Sequence, residues 1–236
     1  MMNLKVLIII PCYNEEESIP HLIEEILDLE LSEGFDKSVL IVNDCSTDKT
    51  ADLVSQFDVN LLNLPINLGI GGAMQTGYLF AQRNGFELAV QMDGDGQHPP
   101  KELIKLLNHY AQTRANVVIG SRFKIKQGFQ SSRLRRMGIG YFHWLNRIFT
   151  GKSIYDSTSG FRLFDKKAIA IAAKSYPDEY PEPESLVIFG KAGLQIEEVP
   201  VFMKKRQGGK SSILYFDTIY YMIKVTIAMF FSYIRK

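Results

Sequence analysis

The chain has 236 residues, which suits one α/β domain with a small extension and is short for two full domains. Its hydrophobic content of 46% is enough for a sizeable core, and 27 basic against 26 acidic residues give a net charge of +1. That balance excludes a general attraction to nucleic acid, so any basic function must be local. Cys12 and Cys45 each follow a strand-like run outside any C-x-x-C motif, and we expect reduced thiols in a cytoplasmic protein.

Short β-branched runs alternate with helical patterns through the first half of the chain. Strands are predicted at residues 6–10, 38–44, 59–64, 87–92 and 116–121, and helices at residues 18–29, 46–57, 71–85 and 99–112. The first apolar run is too short for an export signal, and a proline and three glutamates follow it at once. Fully apolar strands between helices predict the α/β class, with a mostly parallel sheet covered on both faces.

The second half of the chain is less regular. We predict a basic, aromatic helix at residues 131–151, strands at residues 159–164 and 196–203, and loops at residues 124–130 and 206–212.

Polar clusters follow three of the predicted strands, and in parallel sheets ligands bind beyond the carboxyl ends of strands. The clusters are PCYNEEE, NDCSTD and DGDGQH. In the last of them Asp93 and Asp95 are two residues apart, so on an extended backbone both side chains point the same way. Such a pair could hold Mg²⁺ or Mn²⁺, which keep water ligands and bind substrate phosphates. A solvated acidic turn is the alternative. His98, which follows, is expected to be a turn or capping residue.

Six ordered segments resemble family 2 glycosyltransferases of the GT-A fold: VLIIIPCYNEEESI, VNDCSTDKT, MDGDGQHPP, IGSRF, DSTSGFRLF and EVPVFMKKRQGGKSS. They cover nearly the whole chain and most resemble the dolichol-phosphate mannosyltransferase branch, which charges polyprenyl-phosphate lipids with a sugar. The resemblance implies a Rossmann-like sheet flanked by helices. It also implies a nucleotide-sugar donor, Mg²⁺ or Mn²⁺, and inverting transfer to a polyprenyl phosphate for cell-surface glycan synthesis.

The resemblance also implies roles for individual residues. Pro11, Tyr13 and Glu15 would form the first nucleotide-binding loop, and Asp44 would contact the base or ribose. Relatives often carry two acids where this chain has Asn43 and Asp44, which would alter the base contacts.

A second implied group surrounds the donor diphosphate. The metal ligands in this group would be Asp93, Asp95 and Gln97. Gly94, which lies between the two aspartates, would also contact the substrate. Arg122 and Arg206 would face phosphate groups, because the guanidinium fork donates two parallel hydrogen bonds. The lipid-phosphate branch often has lysine at the position of Ser212, and Lys210 is the candidate substitute. Asp95, Arg122 and Arg206 are the residues expected to act in catalysis.

Three other functions compete with this interpretation. Transfer to a sugar hydroxyl would need a carboxylate base, for which EYPEPES offers Glu182 or Glu184, although glutamates commonly open helices for dipole reasons alone. A sugar nucleotidyltransferase would need a cationic, glycine-rich loop after the first strand, where this chain has glutamates. A non-catalytic nucleotide-binding module is disfavoured by the intact acid pair and both arginines.

The segment GIGGAMQTG lacks the glycine spacing of a dinucleotide-binding fingerprint, so its glycines are expected to serve turns and close packing.

The C-terminal residues 213–236 are predicted to form an amphipathic helix outside the glycosyltransferase domain, residues 1–212. Asp217 and Lys224 interrupt an otherwise apolar segment. One face carries an apolar stripe of Phe216, Ile219, Ile223, Ile227, Phe230 and Ile234.

Because charges inside a bilayer are costly, we favour a helix lying on the cytoplasmic membrane surface over a span or a packed soluble helix. A single helix is a weak anchor, so a membrane protein is a further candidate partner. Three arginines near residue 131 would either steer a lipid phosphate or form a solvated helix face: Arg133, Arg135 and Arg136.

Overall fold

The computed structural model of the chain describes residues 3–124, 133–204 and 217–235, of which residues 133–137, 139 and 217–221 are described by their backbone alone. The strands are β1 (Leu4–Cys12), β2 (Phe35–Asn43), β3 (Asn60–Asn63), β4 (Leu88–Gln91), β5 (Val117–Ser121), β6 (Arg162–Asp165) and β7 (Ile196–Pro200). The helices are α1 (Ile19–Leu27), α2 (Thr50–Val54), α3 (Gly69–Arg83), α4 (Leu103–Thr113), α5 (Arg133–Thr150), α6 (Lys166–Lys174), α7 (Pro181–Lys191) and α8 (Asp217–Ile234), with a 3₁₀ turn at Pro100–Glu102. Apart from Lys124, the predicted loops at 124–130 and 206–212 lie outside the described residues.

The strands form one sheet of seven, in the order β3-β2-β1-β4-β6-β5-β7. Strand β6 is antiparallel to both of its neighbours, β4 and β5, whereas the other strand pairs are parallel. The predicted α/β class with a mostly parallel sheet is therefore confirmed.

The alternation of side chains along β1 builds the core on both faces of the sheet. Val6, Ile8 and Ile10 point into the layer that contains α1 and α4. Leu7 and Ile9 point into the opposite layer, which contains α3 and α6. All five side chains are fully buried, as expected for a strand covered by helices on both sides.

The second predicted helix, residues 46–57, is shorter than expected, because α2 covers only Thr50–Val54. Residues before it use their backbone groups elsewhere: Lys49 N donates to Glu16 Oε2 at 3.0 Å. Asp48 Oδ1 accepts from Thr50 N at 2.9 Å, so the helix begins only after this side-chain turn.

Helix α8 packs against α5 and α7. Val225 and Met229 are fully buried in a small apolar cluster with Phe142, Leu145 and Val187. Within the described residues, no helix combines the length and the apolar character that crossing a membrane would require.

Candidate functional site

The carboxyl ends of three strands meet at one edge of the sheet. In the register of the parallel pairs, Cys12 lies beside Asn43, and Ile9 lies beside Gln91. The loops after β1, β2 and β4 therefore leave the sheet side by side, and these loops carry the predicted donor-binding residues.

The first two of these loops are hydrogen-bonded to each other. Asn14 has a left-handed backbone with φ of 56°, and its N–H donates to Ser46 Oγ at 3.0 Å. Thr47 N donates to Asn14 Oδ1 at 2.8 Å. The side chain of the preceding Tyr13 is about half exposed, so its ring is accessible at the edge of the site.

The first loop is also tied to the loop after β4. Ser18 Oγ lies 2.7 Å from Glu15 Oε2 and 2.9 Å from the carbonyl oxygen of Gly94. A Cβ at Gly94 would come within 3.2 Å of Pro11 O and 3.1 Å of Cys12 Sγ. Glycine at position 94 therefore lets the two loops approach closely, and the structure brings Pro11, Glu15 and Gly94 together.

Asp44 lies at the end of β2 and is almost fully buried. Leu68 N donates to Asp44 Oδ1 at 2.7 Å, and Asn67 Nδ2 donates to the Asp44 carbonyl at 3.2 Å. The carboxylate thus orders the segment before α3. Its Oδ2 accepts no hydrogen bond from the described residues, and contact with a base or ribose stays a prediction.

Asp93 and Asp95 follow β4 in a tight turn. Asp95 is buried, and its Oδ1 accepts a hydrogen bond from Gln97 N at 3.0 Å. The Asp93 side chain is 37% exposed. The structure therefore places Asp93, Asp95 and Gln97 together at the edge where the three loops meet.

The donor set of this turn fits a hard divalent cation. Among the described residues no three His, Cys, Asp or Glu side chains are grouped around a common metal position. Two carboxylates and one amide oxygen are the ligands that Mg²⁺ or Mn²⁺ uses when water and substrate phosphates complete its shell. Asp93, Asp95 and Gln97 are thus the residues that would hold it.

Arg122, at the end of β5, forms a bidentate ion pair with Asp156. Its Nε donates to Asp156 Oδ2 at 2.8 Å and its Nη2 to Oδ1 at 2.7 Å. Burial alone would lower the pKa of Arg122, but the hydrogen bonds and charge of Asp156 raise it above its usual value. Among the described residues, only Nη1 of the guanidinium nitrogens lacks a partner. The predicted phosphate contact would therefore use Nη1 and not the full fork.

The backbone at Asp156 is held in place by the carboxylate of Glu198. Its backbone N donates to Glu198 Oε1 at 2.8 Å, and Tyr155 N donates to Glu198 Oε2 at 2.9 Å. Burial raises the pKa of Glu198, and the two backbone hydrogen bonds oppose that effect. No role was predicted for Asp156 or Glu198, although Asp156 opens the DSTSGFRLF segment on which the family resemblance partly rests.

His98 caps the acidic turn, which agrees with the turn or capping role expected from sequence, and it is also part of the buried core. Its ring is buried, stacks on Phe161 with centroids 5.0 Å apart, and accepts a hydrogen bond from Asp93 N at Nδ1, at 3.3 Å. Burial lowers the pKa of His98 to about 4, against the opposing charge of Asp95. The neutral ring therefore caps and supports the acidic turn.

Arg162, in β6, is a functional candidate that sequence reasoning missed. It is fully buried, and its guanidinium donates to the carbonyls of Ser157 and Ser159 at 2.8 and 2.7 Å. It also donates to the carbonyl of Glu182 at 2.8 Å. One buried cation thus joins the segment that holds Asp156 to the first turn of α7. An alternating strand pattern does not show which buried residue does this.

The predicted turn and packing glycines are found at the start of α3. Gly69 has φ of 72°, in the left-handed region. A Cβ at Gly71 would lie 2.1 Å from Pro177 O, so glycine is required for this close approach.

Two predicted phosphate-binding residues, Arg206 and Lys210, lie outside the described residues, as do the side chains of Arg133, Arg135 and Arg136.

The chain matches the family model described as "Glycosyl transferase family 2" over residues 7–170. It is 32% identical over 225 residues to a dolichyl-phosphate beta-glucosyltransferase of Trichomonas vaginalis, covering 87% of this chain and 68% of that protein. It is 31% identical over 225 residues to an undecaprenyl-phosphate mannosyltransferase of Micrococcus luteus, covering 89% of this chain and 88% of that protein. The chain therefore belongs to glycosyl transferase family 2, as the sequence motifs predict.

Solved structures show the same fold. The glucosyl-3-phosphoglycerate synthase of Mycobacterium tuberculosis, in complex with Mn²⁺, UDP and glucosyl-3-phosphoglycerate, superimposes with a TM-score of 0.69 at 19% identity. The match covers 98% of this chain and 80% of that chain. The predicted GT-A fold is confirmed by this likeness.

Proposed function

We propose that the chain is an inverting, metal-dependent glycosyltransferase that moves a sugar from a nucleotide-sugar donor to a polyprenyl phosphate. The observation that carries this proposal is the meeting of Asp93 and Asp95 with both nucleotide-side loops at one sheet edge. The relatives from T. vaginalis and M. luteus, whose names specify dolichyl and undecaprenyl phosphate, support the choice of acceptor.

The donor nucleotide would lie across the loops after β1 and β2. Tyr13 offers an accessible ring for stacking on the base, and Asp44 offers its Oδ2 to a base or ribose donor group. Pro11 and Glu15 shape the loop that connects this region to the acidic turn.

The leaving diphosphate would lie at Asp93, Asp95 and Gln97. A divalent cation held there would neutralise the charge that develops on the diphosphate as the sugar departs. Arg122 Nη1 would add a hydrogen bond to the diphosphate, while Asp156 holds the rest of the guanidinium in place. We assign Arg206 and Lys210, on sequence grounds, to the phosphates of donor or acceptor.

A phosphate acceptor is already anionic when it attacks the sugar. The protein then has to position the two substrates more than it has to remove a proton. A sugar-hydroxyl acceptor would instead require a carboxylate base near the reacting carbon.

We also propose that the chain lies on the cytoplasmic membrane surface through α5 and α8. The two helices meet along a seam: Tyr141 Oη lies 2.8 Å from Thr226 Oγ1, and the rings of Phe149 and Tyr233 are 5.3 Å apart. Val225 and the rest of the buried cluster lie on one side of this seam.

Apolar side chains line the other side of the seam. They include four members of the predicted stripe, with Ile223 at 55%, Ile227 at 50%, Phe230 at 48% and Ile234 at 51% exposure. The other two members, Phe216 and the side chain of Ile219, lie outside the described residues. On α5, Trp144 and Ile148 are 57% and 53% exposed, and their three- and seven-residue spacing from Tyr141 places them beside the same seam. An apolar surface of this kind is typical of proteins that rest on a bilayer, where it would present the active site to a lipid carrier.

The proposed reaction is tested by offering the purified protein a panel of UDP- and GDP-sugars, with and without polyprenyl phosphate. We expect transfer that needs both the lipid phosphate and Mg²⁺ or Mn²⁺ and that stops in excess chelator. Transfer only to a sugar hydroxyl would overturn the acceptor assignment, and full turnover in chelator would overturn the metal assignment.

The metal ligands are tested by Asp95→Ala, for which we expect a loss of several kcal/mol of transition-state stabilisation, roughly a thousandfold or more in rate. Asp58→Ala, which removes an exposed carboxylate after α2, is the matched control and should keep full activity. Metal binding followed by calorimetry should be weakened in the first variant alone.

A further inference from the structure

Glu198, in β7, binds the short segment that carries Asp156. The residue is buried. One of its carboxylate oxygens accepts from Asp156 N at 2.8 Å, and the other accepts from Tyr155 N at 2.9 Å. Two neighbouring backbone N–H groups thus converge on one carboxylate. A carboxylate suits this position because it offers two acceptor oxygens and no donor.

The carboxylate of Asp156 in turn binds Arg122 at three atoms. It accepts from the backbone N of Arg122 at 2.9 Å, from Nε at 2.8 Å and from Nη2 at 2.7 Å. Thr158 Oγ1 also accepts from Nη2, at 3.0 Å. Since the backbone and the guanidinium of Arg122 are both bound to one carboxylate, a shift of that carboxylate would move both.

Glu198 also contacts the segment that follows Arg122. Lys124 Nζ donates to the carbonyl oxygen of Glu198 at 2.7 Å. Strand β7 is paired with β5 in parallel, and Ser121, the residue before Arg122, lies beside Pro200 in this register. Glu198 is therefore linked to Arg122 on two sides, through the end of β5 and through Asp156.

Building on the proposed function, we propose that Glu198 is a positioning residue for sugar transfer, which orients Arg122 through Asp156 so that Nη1 reaches the leaving diphosphate. The role needs two acceptor oxygens. Glutamine at position 198 would have nearly the same size, but its amide could accept from only one of the two N–H groups and would present a donor to the other. The segment that holds Asp156 would then lose its fixed position. Displacing a group that stabilises developing charge lowers the rate by as much as about a hundredfold.

The binding test uses the nucleoside diphosphate alone, because it carries the full charge of the leaving group. Calorimetry in Mg²⁺ or Mn²⁺ measures the affinity of the full chain for UDP and for GDP. We expect Glu198→Gln to weaken binding of the preferred nucleotide by about fivefold or more, because the charge-assisted hydrogen bond from Arg122 loses its geometry.

A double-mutant cycle separates positioning from a general loss of stability. Arg122→Lys keeps a cation beside Asp156 but replaces the guanidinium fork by a single ammonium group, so it should also weaken nucleotide binding. Adding Glu198→Gln to Arg122→Lys should cost little more, because the contact that Glu198 supports is already lost. A merely structural role of Glu198 would weaken binding by the same factor in both backgrounds.

Glu197→Gln is the matched control. Glu197 precedes Glu198 on β7, and successive side chains of a strand point to opposite faces of the sheet. Its carboxylate accepts from Gln195 Nε2 at 2.6 Å and lies 2.6 Å from His109 Nε2. This variant should bind UDP and GDP like the wild type.

Glu198→Asp is a second variant of the same position. It keeps both acceptor oxygens but withdraws them from the segment by one methylene group, so its loss of affinity should be smaller than that of Glu198→Gln. It also takes the place of Glu198→Gln in the double-mutant cycle if that variant does not fold.

Transfer kinetics give an independent readout. The charge on the diphosphate is larger in the transition state than in the bound donor, so Glu198→Gln should lower kcat by about tenfold or more while the KM for the donor changes less.

The outcomes separate this inference from the proposed function. Unchanged nucleotide binding in Glu198→Gln, the same further loss in the Arg122→Lys background, or failure of both Glu198 variants to fold would each overturn the positioning role. A wild type that binds neither UDP nor GDP would overturn both proposals. A wild type that shows the expected binding pattern but transfers no sugar to polyprenyl phosphate would overturn the proposed acceptor and leave the positioning role standing.

Discussion

The ion pair between Arg122 and Asp156 joins two residues 34 positions apart in the chain, at the centre of the proposed site. The Asp156 side chain is fully buried and that of Arg122 is 18% exposed. Removing one member of a buried pair leaves an uncompensated charge, which costs more than the pair itself contributes. The pair therefore makes the geometry of Arg122 dependent on a residue that need not touch any substrate.

We expect Asp156→Asn to lower the free energy of unfolding by about 3–5 kcal/mol and to reduce sugar transfer, because the Arg122 guanidinium loses its charged partner. Urea unfolding gives the first quantity and initial rates give the second. Lys166→Gln serves as the control, since Lys166 and Glu87 form a 3.4 Å pair at the surface. Breaking that pair should cost only about 0–1 kcal/mol. Equal small losses in both variants would contradict the structural role of Asp156.

At the residue scale, the sequence predicted what a side chain can bind better than it predicted which residue of the protein that side chain contacts. The acids at 93 and 95 could be placed because their spacing and their position after a strand are both visible in the chain. The partner of Arg122 could not be placed, because a guanidinium binds phosphate and carboxylate equally well. The contacts of Arg162 could not be predicted for a similar reason. Its hydrogen-bond acceptors are mainly backbone carbonyls, which every residue has.

The start of α3 shows how one helix sets the position of another. Gly71 N donates to Asp178 O at 3.1 Å, and a Cβ at Gly71 would lie 2.3 Å from the same oxygen. The segment at Asp178 leads into α7, which carries Glu182. Helix α3 therefore fixes the approach of α7 to the site through a contact that only glycine permits.

We expect Gly71→Ala to destabilise the fold by about 1–3 kcal/mol, because the new methyl group meets backbone atoms that cannot move freely. Gly138→Ala in α5 is the control, since a Cβ there would meet no atom within 4 Å. Alanine in an open helical position is favoured over glycine by about 1 kcal/mol, so the control should be neutral or stabilised. Thermal unfolding of the two variants measures the difference, and equal stabilities would refute the packing role of Gly71.

At the element scale, long patterned segments were predicted well and short ones were not. The predicted strand at 6–10 lies within β1, and the one at 38–44 matches β2 except for its last residue. A continuous run of β-branched residues between turn signals favours a buried strand over other structures. Helix α6 was missed, although Asp165 caps it by accepting from Ala168 N at 2.9 Å. The antiparallel direction of β6 could not be predicted, since strand direction depends on which neighbour the strand finds.

At the scale of the whole molecule, the apolar surface along α5 and α8 combines side chains from two helices that are distant in the chain and meet only in the folded protein. Truncation after Ser212 would remove the α8 part of this surface, but it would also uncover Phe142, Leu145 and Val187, which pack against Val225 and Met229. Substitutions of exposed residues therefore test membrane binding more cleanly than truncation.

We expect the double variant Ile227→Lys with Phe230→Lys to lose binding to liposomes by at least about tenfold, because each half-exposed apolar side chain contributes on the order of 1 kcal/mol or more when it enters the bilayer. Transfer to a long-chain polyprenyl phosphate should fall with it, whereas nucleotide binding should not change. Leu27→Lys, at an exposed apolar position on α1, is the control and should sediment with liposomes like the wild type. Undiminished binding by the double variant would show that the membrane contact lies elsewhere.

The order of strands in the sheet has a consequence for synthesis on the ribosome. The half-sheet β3-β2-β1-β4 is complete once residue 91 has emerged, because all four strands come from the first part of the chain. Strand β5 emerges next, but its partners in the described part of the chain are β6 and β7, which are made later. Until Arg162–Asp165 leaves the exit tunnel, one side of β4 is an open edge in a nascent chain, the kind of edge at which strands mispair or recruit chaperones. Strand β6, the short antiparallel strand that joins the two halves of the sheet, thus also covers the open edge of β4 once it has been synthesised.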